Sequence, residues 1–331
     1  MKVRPGRRPV TARGLLPFLC LLALAGCPAE RPDVPDRDAP EAPADPEPPH
    51  AVAVTIDDLP TIGTRTLAEA EAVTDGLLRH LREADVPAVG FVNEVQLAAG
   101  RETRTRLLER WLEAGMELGN HTHAHTSLHR TPLAEFQEEV LRGERVTRPL
   151  MEERGMELRW FRHPYLHTGR EMETRARLEA FLDEHGYEAA PVTVDSDDWV
   201  FAAAYRVALD AGDEALMERI VRAYITHVEE TFDYFERLSR ELVDRIPAQV
   251  LLLHANPLNA DHLDRLLEVI DARGYRFVPL EEALTDPVYD LPDRYTGPRG
   301  ISWLKRWAIT RGLEPPERPQ PPDWVEEVRR R

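Results

Sequence analysis

From residue 51 onward, short apolar runs alternate with longer stretches of helical period. The runs Ala51–Ile56, Ala88–Val92, Met116–Leu118, Arg159–Phe161, Ala189–Val194, Gln249–Leu253 and Tyr275–Val278 are largely continuous, as strands buried on both faces are. Between them, apolar residues return at three- and four-residue steps over about Leu67–Ala84, Glu102–Ala114, Leu133–Glu153, Glu171–Glu184, Asp213–Arg245 and Ala260–Ala272. Gly115, Gly155, Gly186, Gly274 and the turn Asp85-Val86-Pro87 punctuate the boundaries. Strands separated by helices in this way predict an α/β fold on a parallel sheet, either doubly wound or closed into a barrel.

Two regions depart from that rhythm. The interval from Trp199 to His254 is too long for an ordinary crossover and holds one amphipathic pattern, Leu216, Ile220, Tyr224, Val228, Phe232 and Phe235. It predicts a helical insert over about 200–248 with its stripe packed on the domain, and Phe201–Gly212 ahead of it walling one side of a cleft. After about Asp286 the chain turns irregular and Pro-rich but keeps Tyr289, Tyr295, Trp303, Trp307 and Trp324. Aromatics at that density predict a tail, 287–331, that packs along the outside of the domain.

The first fifty residues are of another kind. Lys2, Arg4, Arg7, Arg8 and Arg13 precede an apolar run from Leu15 to Gly26. A run of that length, at ~1.5 Å per residue, falls well short of a ~30 Å hydrocarbon core, so it predicts a signal segment, 1–26, and not a membrane span. The run ends Leu24-Ala25-Gly26-Cys27, which resembles a bacterial lipoprotein cleavage site with Cys27 as the acylated first residue of the mature chain. Residues 27–50 are rich in Pro, Asp and Glu and nearly devoid of large apolar side chains, which predicts an extended tether. The expectation is a lipid-anchored protein of the cell envelope, on its periplasmic or other extracytoplasmic face.

The chain carries 42 Lys+Arg against 59 Asp+Glu, a formal net charge of -17, and loss of the five basic side chains of the signal segment makes the mature protein more acidic still. That balance offers no basic stripe to a phosphate backbone and excludes nucleic acid as a partner. No feature of the sequence predicts a protein partner. Of the 2 cysteines, Cys20 leaves with the signal segment, so neither a disulfide nor a Cys-rich zinc site is available to the domain.

The polar residues gather where predicted strands end. The first strand runs into Asp57-Asp58, adjacent carboxylates that are costly to bury unless paired or bound to a cation. The third ends Asn120-His121-Thr122-His123-Ala124-His125, and one helical turn there would put His121 and His125 on a common face. The fourth ends Arg162-His163-Pro164-Tyr165, the fifth Asp195-Ser196-Asp197-Asp198-Trp199, and the sixth His254-Ala255-Asn256. In a parallel barrel these carboxyl ends form one rim, where active sites are built.

Taken in order, TIDD, HTHAH, RHPY, DSDDW and LLLH resemble the five motifs of the polysaccharide deacetylases, the NodB-homology or family 4 carbohydrate esterases, over roughly residues 51–285. The resemblance implies a distorted (β/α)7 barrel, with the insert and tail as additions. It also implies a metal-dependent hydrolase that removes N-acetyl groups from an N-acetylated amino sugar polymer or oligomer and releases acetate. By the same resemblance Asp58, His121 and His125 are the metal ligands, a donor set with open positions that suits Zn²⁺ most simply and also Co²⁺, Ni²⁺ or Fe²⁺. Asp57 is the general base, Arg162 orients it, His254 protonates the leaving amine, and Asp198 supports His254 in its charged form. The Tyr165 backbone N–H faces the oxyanion, while Trp199 and Leu252 form the apolar pocket for the acetyl methyl.

The chain departs from the family pattern at Ile56, usually Phe, and in the 200–248 insert, which leaves the glycan or acyl amide unspecified. Other readings fit the same residues. Asp57-Asp58 also suits a helix N-cap, and two His with one carboxylate also suit a non-haem iron enzyme. A non-catalytic glycan-binding envelope lipoprotein would keep the same barrel. His123 is expected to point away from its neighbours, and His129, His163 and His167 to be surface or rim residues.

Overall fold

The structure, a computed structural model, describes residues 50–331; the expected signal segment, Cys27 and the tether up to residue 49 lie outside the described residues. Eight parallel strands form one sheet: β1 His50–Leu59, β2 Ala88–Val92, β3 Glu117–Asn120, β4 Trp160–Phe161, β5 Glu188–Ala189, β6 Val194–Asp195, β7 Gln249–His254 and β8 Tyr275–Phe277. The helices are α1 Leu67–Glu83, α2 Arg101–Glu113, α3 Leu133–Arg142, α4 Thr147–Glu152, α5 Met172–Glu184, α6 Asp198–Ala211 and α7 Glu214–Val243. After β7 come α8 Pro257–Ala272, α9 Leu280–Leu284, α10 Trp303–Thr310 and α11 Asp323–Arg329.

Hydrogen-bonded neighbours run β5-β4-β3-β2-β1-β7-β6, with β8 paired to the start of β1. The two ends of that order, β5 and β6, are separated in sequence only by residues 190–193. So short a link spans less than about 20 Å, which forces the edges toward each other and curls the sheet into a half-barrel. This is the (β/α)7 architecture that the motifs imply.

Where the sequence predicts one strand over Ala189–Val194, the structure has two. Pro191 lies between them and has no N–H to give to a ladder. Ala190 N–H donates to the Phe161 carbonyl on the β4 side (2.8 Å), whereas Thr193 N–H donates to the Val250 carbonyl on the β7 side (3.0 Å). The chain changes partners at the proline and bridges the open seam.

The helix predicted over Leu133–Glu153 is likewise two. The buried Glu94 carboxylate accepts from the backbone N–H groups of Val146 and Thr147 (both 2.8 Å) and from the Thr147 hydroxyl (3.0 Å). It thereby satisfies donors that a new helix start leaves unpaired. The insert, too, holds two helices and not one: α6 fills the stretch read as a cleft wall. Its Phe201, Ala204, Tyr205 and Ala208 are core residues, so it is no removable loop. The α7 stripe packs as predicted, with Ile220, Tyr224, Val228, Phe232 and Phe235 buried; each is worth about 1.5–3 kcal/mol when taken out of water.

The tail does more than cover the outside. Trp303 N–H donates to the Val192 carbonyl (2.7 Å) and Ser302 Oγ to the Thr193 carbonyl (2.6 Å), which pins α10 beside the seam that Pro191 creates. Leu304, Trp307, Val325 and Val328 are buried. Among the described residues no helix is long and apolar enough to cross a membrane.

Candidate active site

The strand registers put the sequence motifs at one level. Asp57 of β1 pairs with His254 of β7, and Asn120, the last residue of β3, pairs with Phe161 of β4 just before Arg162. Adjacent residues of a regular strand point to opposite faces, so Asp57 and Asp58 could not both enter one cleft. Here the β1–β2 register shifts between Ile56 and Leu59, and Asp58 has φ 66. This irregularity turns both carboxylates toward the same cleft.

The single helical turn expected at 121–125 is not present. Instead Thr122 (φ 61) and His125 (φ 52) take left-handed conformations, and the chain folds back so that both imidazoles converge, ring centres 4.9 Å apart. Among the described residues, six of the eight non-glycine residues with positive φ are Asp58, Thr122, His125, Tyr165, Leu166 and Asp197, all on the cleft or next to a residue that lines it. At about 1–3 kcal/mol apiece, such conformations persist only where surrounding contacts over-determine them.

Those contacts are specific. Asn93 donates to the His121 carbonyl (2.6 Å). Asn120 accepts from Thr122 N–H (2.8 Å) while donating to the Val140 carbonyl and the Tyr187 hydroxyl (both 2.9 Å). Glu139 accepts from Ala124 N–H (2.9 Å), and its own carbonyl accepts from His123 N–H (2.9 Å). Gly143 ends α3 directly against the loop: a Cβ there would lie 2.7 Å from the Thr122 carbonyl carbon and 2.8 Å from His123 N.

Asp58, His121 and His125 bring one donor atom each within 4.8 Å of one another, the metal-type cluster found among the described residues. Asp58 Oδ1 lies 3.9 Å from His121 Nε2 and 3.7 Å from His125 Nε2. His121 Nδ1 is engaged with the Arg162 carbonyl at 2.8 Å, which leaves Nε2 facing the cluster. Burial pushes His121 down to about 3 and His125 down to about 4, so both rings stay neutral and able to ligate. By donor type and spacing the three residues fit a divalent metal. His123 is not among them; its Nδ1 lies 4.0 Å from Glu139.

Asp57 stands beside this cluster, its Oδ2 3.5 Å from His121 Nε2. Its Oδ1 is buried with no hydrogen-bond partner, and Arg162 Nη1 lies 3.5 Å away. Arg162 is fully buried, stacked over Phe91 at 4.6 Å and donating to Thr55 Oγ1 at 2.8 Å. Burial raises both Asp57 and Asp58 above the usual carboxylate range, and Arg162 opposes that rise at Asp57.

Across the cleft, His254 Nδ1 meets Asp198 Oδ1 at 2.7 Å. Asp198 Oδ2 accepts from His254 N–H, Asn256 Nδ2 and Asn259 Nδ2 at 2.7–3.0 Å, so the carboxylate is held from four sides. Burial works to lower the His254 pKa, but the charge and hydrogen bond of Asp198, followed by Asp58 and Asp57, push it up to about 10. The other acids of the fifth motif have different work: Asp195 and Asp197 both pair with Arg318 of the tail, and Asp197 also meets His227 of α7 at 3.0 Å. Sequence reading missed Arg318 and His227, since nothing local in either segment signals a partner so distant.

These groups open into a cleft of about 1150 Å³. Tyr165 (53% exposed) stands at its edge, 4.3 Å from the His125 ring. Gly300 of the tail presses on its backbone, where a Cβ would collide with the Tyr165 carbonyl oxygen. Leu252 belongs to a small apolar cluster with Leu166 and Val192, against which Trp303 packs. Trp199 is 48% exposed on the cleft, under the Arg329 guanidinium, and is not a core residue. One wall comes from Ala202, Ala203 and Arg206 of α6, the other from tail residues 299–320, which corrects the expectation that the tail lies wholly outside. His129 and His167 stack at 3.8 Å on the flank, whereas His163, expected at the surface, is buried against Phe161.

Residues 44–188 match the family model described as Polysaccharide deacetylase. No curated protein matches the chain. Among solved structures, a mutant of a CE4 family pseudoenzyme of Bacillus anthracis is 18% identical with a TM-score of 0.50, covering 71% of this chain and 67% of that one. A family 4 carbohydrate esterase from Streptomyces lividans, in complex with acetate, is 22% identical with a TM-score of 0.45, over 68% of this chain and 90% of that one. Peptidoglycan deacetylase PdaC from Bacillus subtilis is 20% identical with a TM-score of 0.46, over 72% and 92%. At these identities the likeness is one of fold. The motifs and the fold resemble those of the polysaccharide deacetylases, and the family model matches the stretch that carries the first three motif clusters.

Proposed function

We propose that this chain is a polysaccharide deacetylase, a hydrolase of carbon–nitrogen bonds other than peptide bonds, that removes N-acetyl groups from an N-acetylated amino sugar polymer or oligomer, with Asp57 as general base and His254 as general acid. The observation that carries the reading is the irregular end of β1. It delivers two consecutive carboxylates into one cleft, Asp58 within the three-donor cluster and Asp57 beside it with an unpaired buried oxygen. A divalent cation held by Asp58, His121 and His125, most simply Zn²⁺, supplies Lewis-acid polarisation and acidifies water. Co²⁺, Ni²⁺ and Fe²⁺ suit the same donors.

The chain's own residues then divide the proton work. Asp57 takes a proton from the attacking water while Arg162 fixes its orientation and opposes its neutralisation by burial. We assign the Tyr165 backbone N–H to the developing oxyanion, and Leu252 and Trp199, which both line the cleft, to the acetyl methyl. His254, charged and anchored through Nδ1 by Asp198, gives the proton on Nε2 to the departing amine nitrogen. The products are acetate and the free amino sugar.

We further read Cys27 as a lipid anchor and residues 27–50 as the tether that holds the domain off an envelope membrane; a Cys27→Ser chain should then appear in the soluble fraction. The reaction itself is tested by acetate release from a panel of N-acetylglucosamine polymers and oligomers, with and without chelator. Chelator-sensitive acetate release supports the reading. Glycan binding without acetate release would instead make the protein a non-catalytic glycan-binding lipoprotein.

A further inference from the structure

The chain has two lysines, Lys2 and Lys305, and arginine at every other strongly basic position. Lys2 lies in the expected signal segment, so Lys305 is the one lysine among the described residues. It sits on α10, half-buried between the buried Leu304 and Arg306, and lines the same cleft as Asp57, Asp58, His121 and His125.

The arginines around it are committed. Arg318 is paired with Asp195 and Asp197, Arg206 with Glu69 and Asp210, and Arg306 with Asp293. Among the described residues Lys305 has no acid within ion-pair distance and makes no hydrogen bond, although Glu317 lines the same wall. Arg299, at the head of the same stretch, is exposed on the cleft and equally unpaired. A half-buried ammonium without a direct partner loses hydration that no contact in the free protein replaces in full. Burial first, then the charges of Arg318 and Arg299, lower the Lys305 pKa, and the more distant Asp195 carboxylate opposes them in part. Lysine is also a compact point donor where arginine is a planar fork, so its use at this one position is not equivalent to another arginine.

We infer that Lys305, with Arg299 beside it, binds an anionic oxygen group of the glycan, a carboxylate or a phosphate carried by the chain that enters the cleft. This rests on the proposed deacetylase reading and narrows its substrate class to an acidic N-acetylated glycan. The wall involved lies outside the residues that match the family model.

The test uses the Zn²⁺-loaded mature chain and three tetrasaccharides that all carry N-acetylglucosamine: one neutral, one with a uronate carboxylate, one with a sugar phosphate. Acetate release and calorimetric binding are measured on the wild type, Lys305→Met and Lys305→Arg, each checked for metal content and thermal midpoint. At least one acidic oligomer should bind about tenfold to a hundredfold more tightly than the neutral one, the worth of one charge-assisted hydrogen bond. Lys305→Met should collapse the acidic-to-neutral ratio toward one, through KM and not kcat, and Lys305→Arg should restore part of it. Equal binding of all three oligomers by the wild type, or equal losses on acidic and neutral oligomers in Lys305→Met, overturns the inference. Lys305-dependent binding of an acidic oligomer with no acetate released would preserve the inference while ending the deacetylase reading.

Discussion

Two histidines line the cleft, one fully and one partly buried, and their surroundings drive them in opposite directions. His121, enclosed by apolar core and beside Arg162, is held neutral, its pKa pushed down to about 3 by burial. His254 is only partly buried, and against the desolvation it suffers the charge and hydrogen bond of Asp198 carry it up to about 10. The first half of the rim is therefore an array of neutral donors, built by strained backbone and amide hydrogen bonds. The second is a charged imidazole, the proposed proton donor, built by a carboxylate held from four sides. The environments hold one residue type in two protonation states, as the two proposed tasks require.

The largest effects should come from breaking the neutral half. Alanine at Asp58, His121 or His125 is expected to remove the bound metal and abolish turnover, while His123→Ala keeps both; metal analysis of the purified variants decides, and full metal in His125→Ala would contradict the ligand set. On the charged half, His254→Ala should keep the metal and lower kcat by about 10²–10⁴-fold, the usual worth of a positioned acid or base. A fall of less than tenfold would assign the proton donor elsewhere.

In the metal-free chain the two halves should respond to pH with opposite sign. The folded pKa values of His121 and His125 lie below their unfolded 6.5, so the stability from burying them neutral is present above 6.5 and lost as pH falls toward 4 and 3. His254 lies above 6.5, so its pair with Asp198 stabilises fully below 6.5 and that contribution is lost as pH rises through about 10. The thermal-midpoint gap between wild type and His254→Ala should accordingly be wide at pH 6 and close on the alkaline side. A gap that closes on the acid side would reverse the assignment. Gly143→Ala should cost about 1–3 kcal/mol through overpacking against the histidine loop and loosen the metal, as chemical denaturation and metal titration would show.

The same contrast explains what was legible in the sequence. The first half announces itself locally: the apolar run Ala51–Ile56 leads directly into Asp57-Asp58, and His121 and His125 follow the end of β3 within five positions. Even there the mechanism of convergence was not readable, because a left-handed Thr122 and His125 leave no compositional mark. The second half depends on distant partners. Asp198 and Asp197 are neighbours in sequence, yet one serves His254 and the other His227 and Arg318. The resemblance singles out Asp198, but the residues alone give no physical reason for that choice until the fold is seen. The split at Pro191 was signalled by the proline, whereas α6, apolar on several faces, gave no clean helical period. The tail's aromatics indicated packing, but only three-dimensional placement shows Gly300 against Tyr165 and Lys305 on the cleft.

The division of labour at the end of β1 is tested most directly by one variant measured two ways. Asp57→Asn, isosteric and uncharged, should retain the metal at the wild-type ratio while acetate release from N-acetylglucosamine oligomers falls by about 10²–10⁴-fold. Loss of the metal from that variant, or acetate release near the wild-type rate with the metal in place, would contradict the assignment of Asp57 as base and Asp58 as ligand.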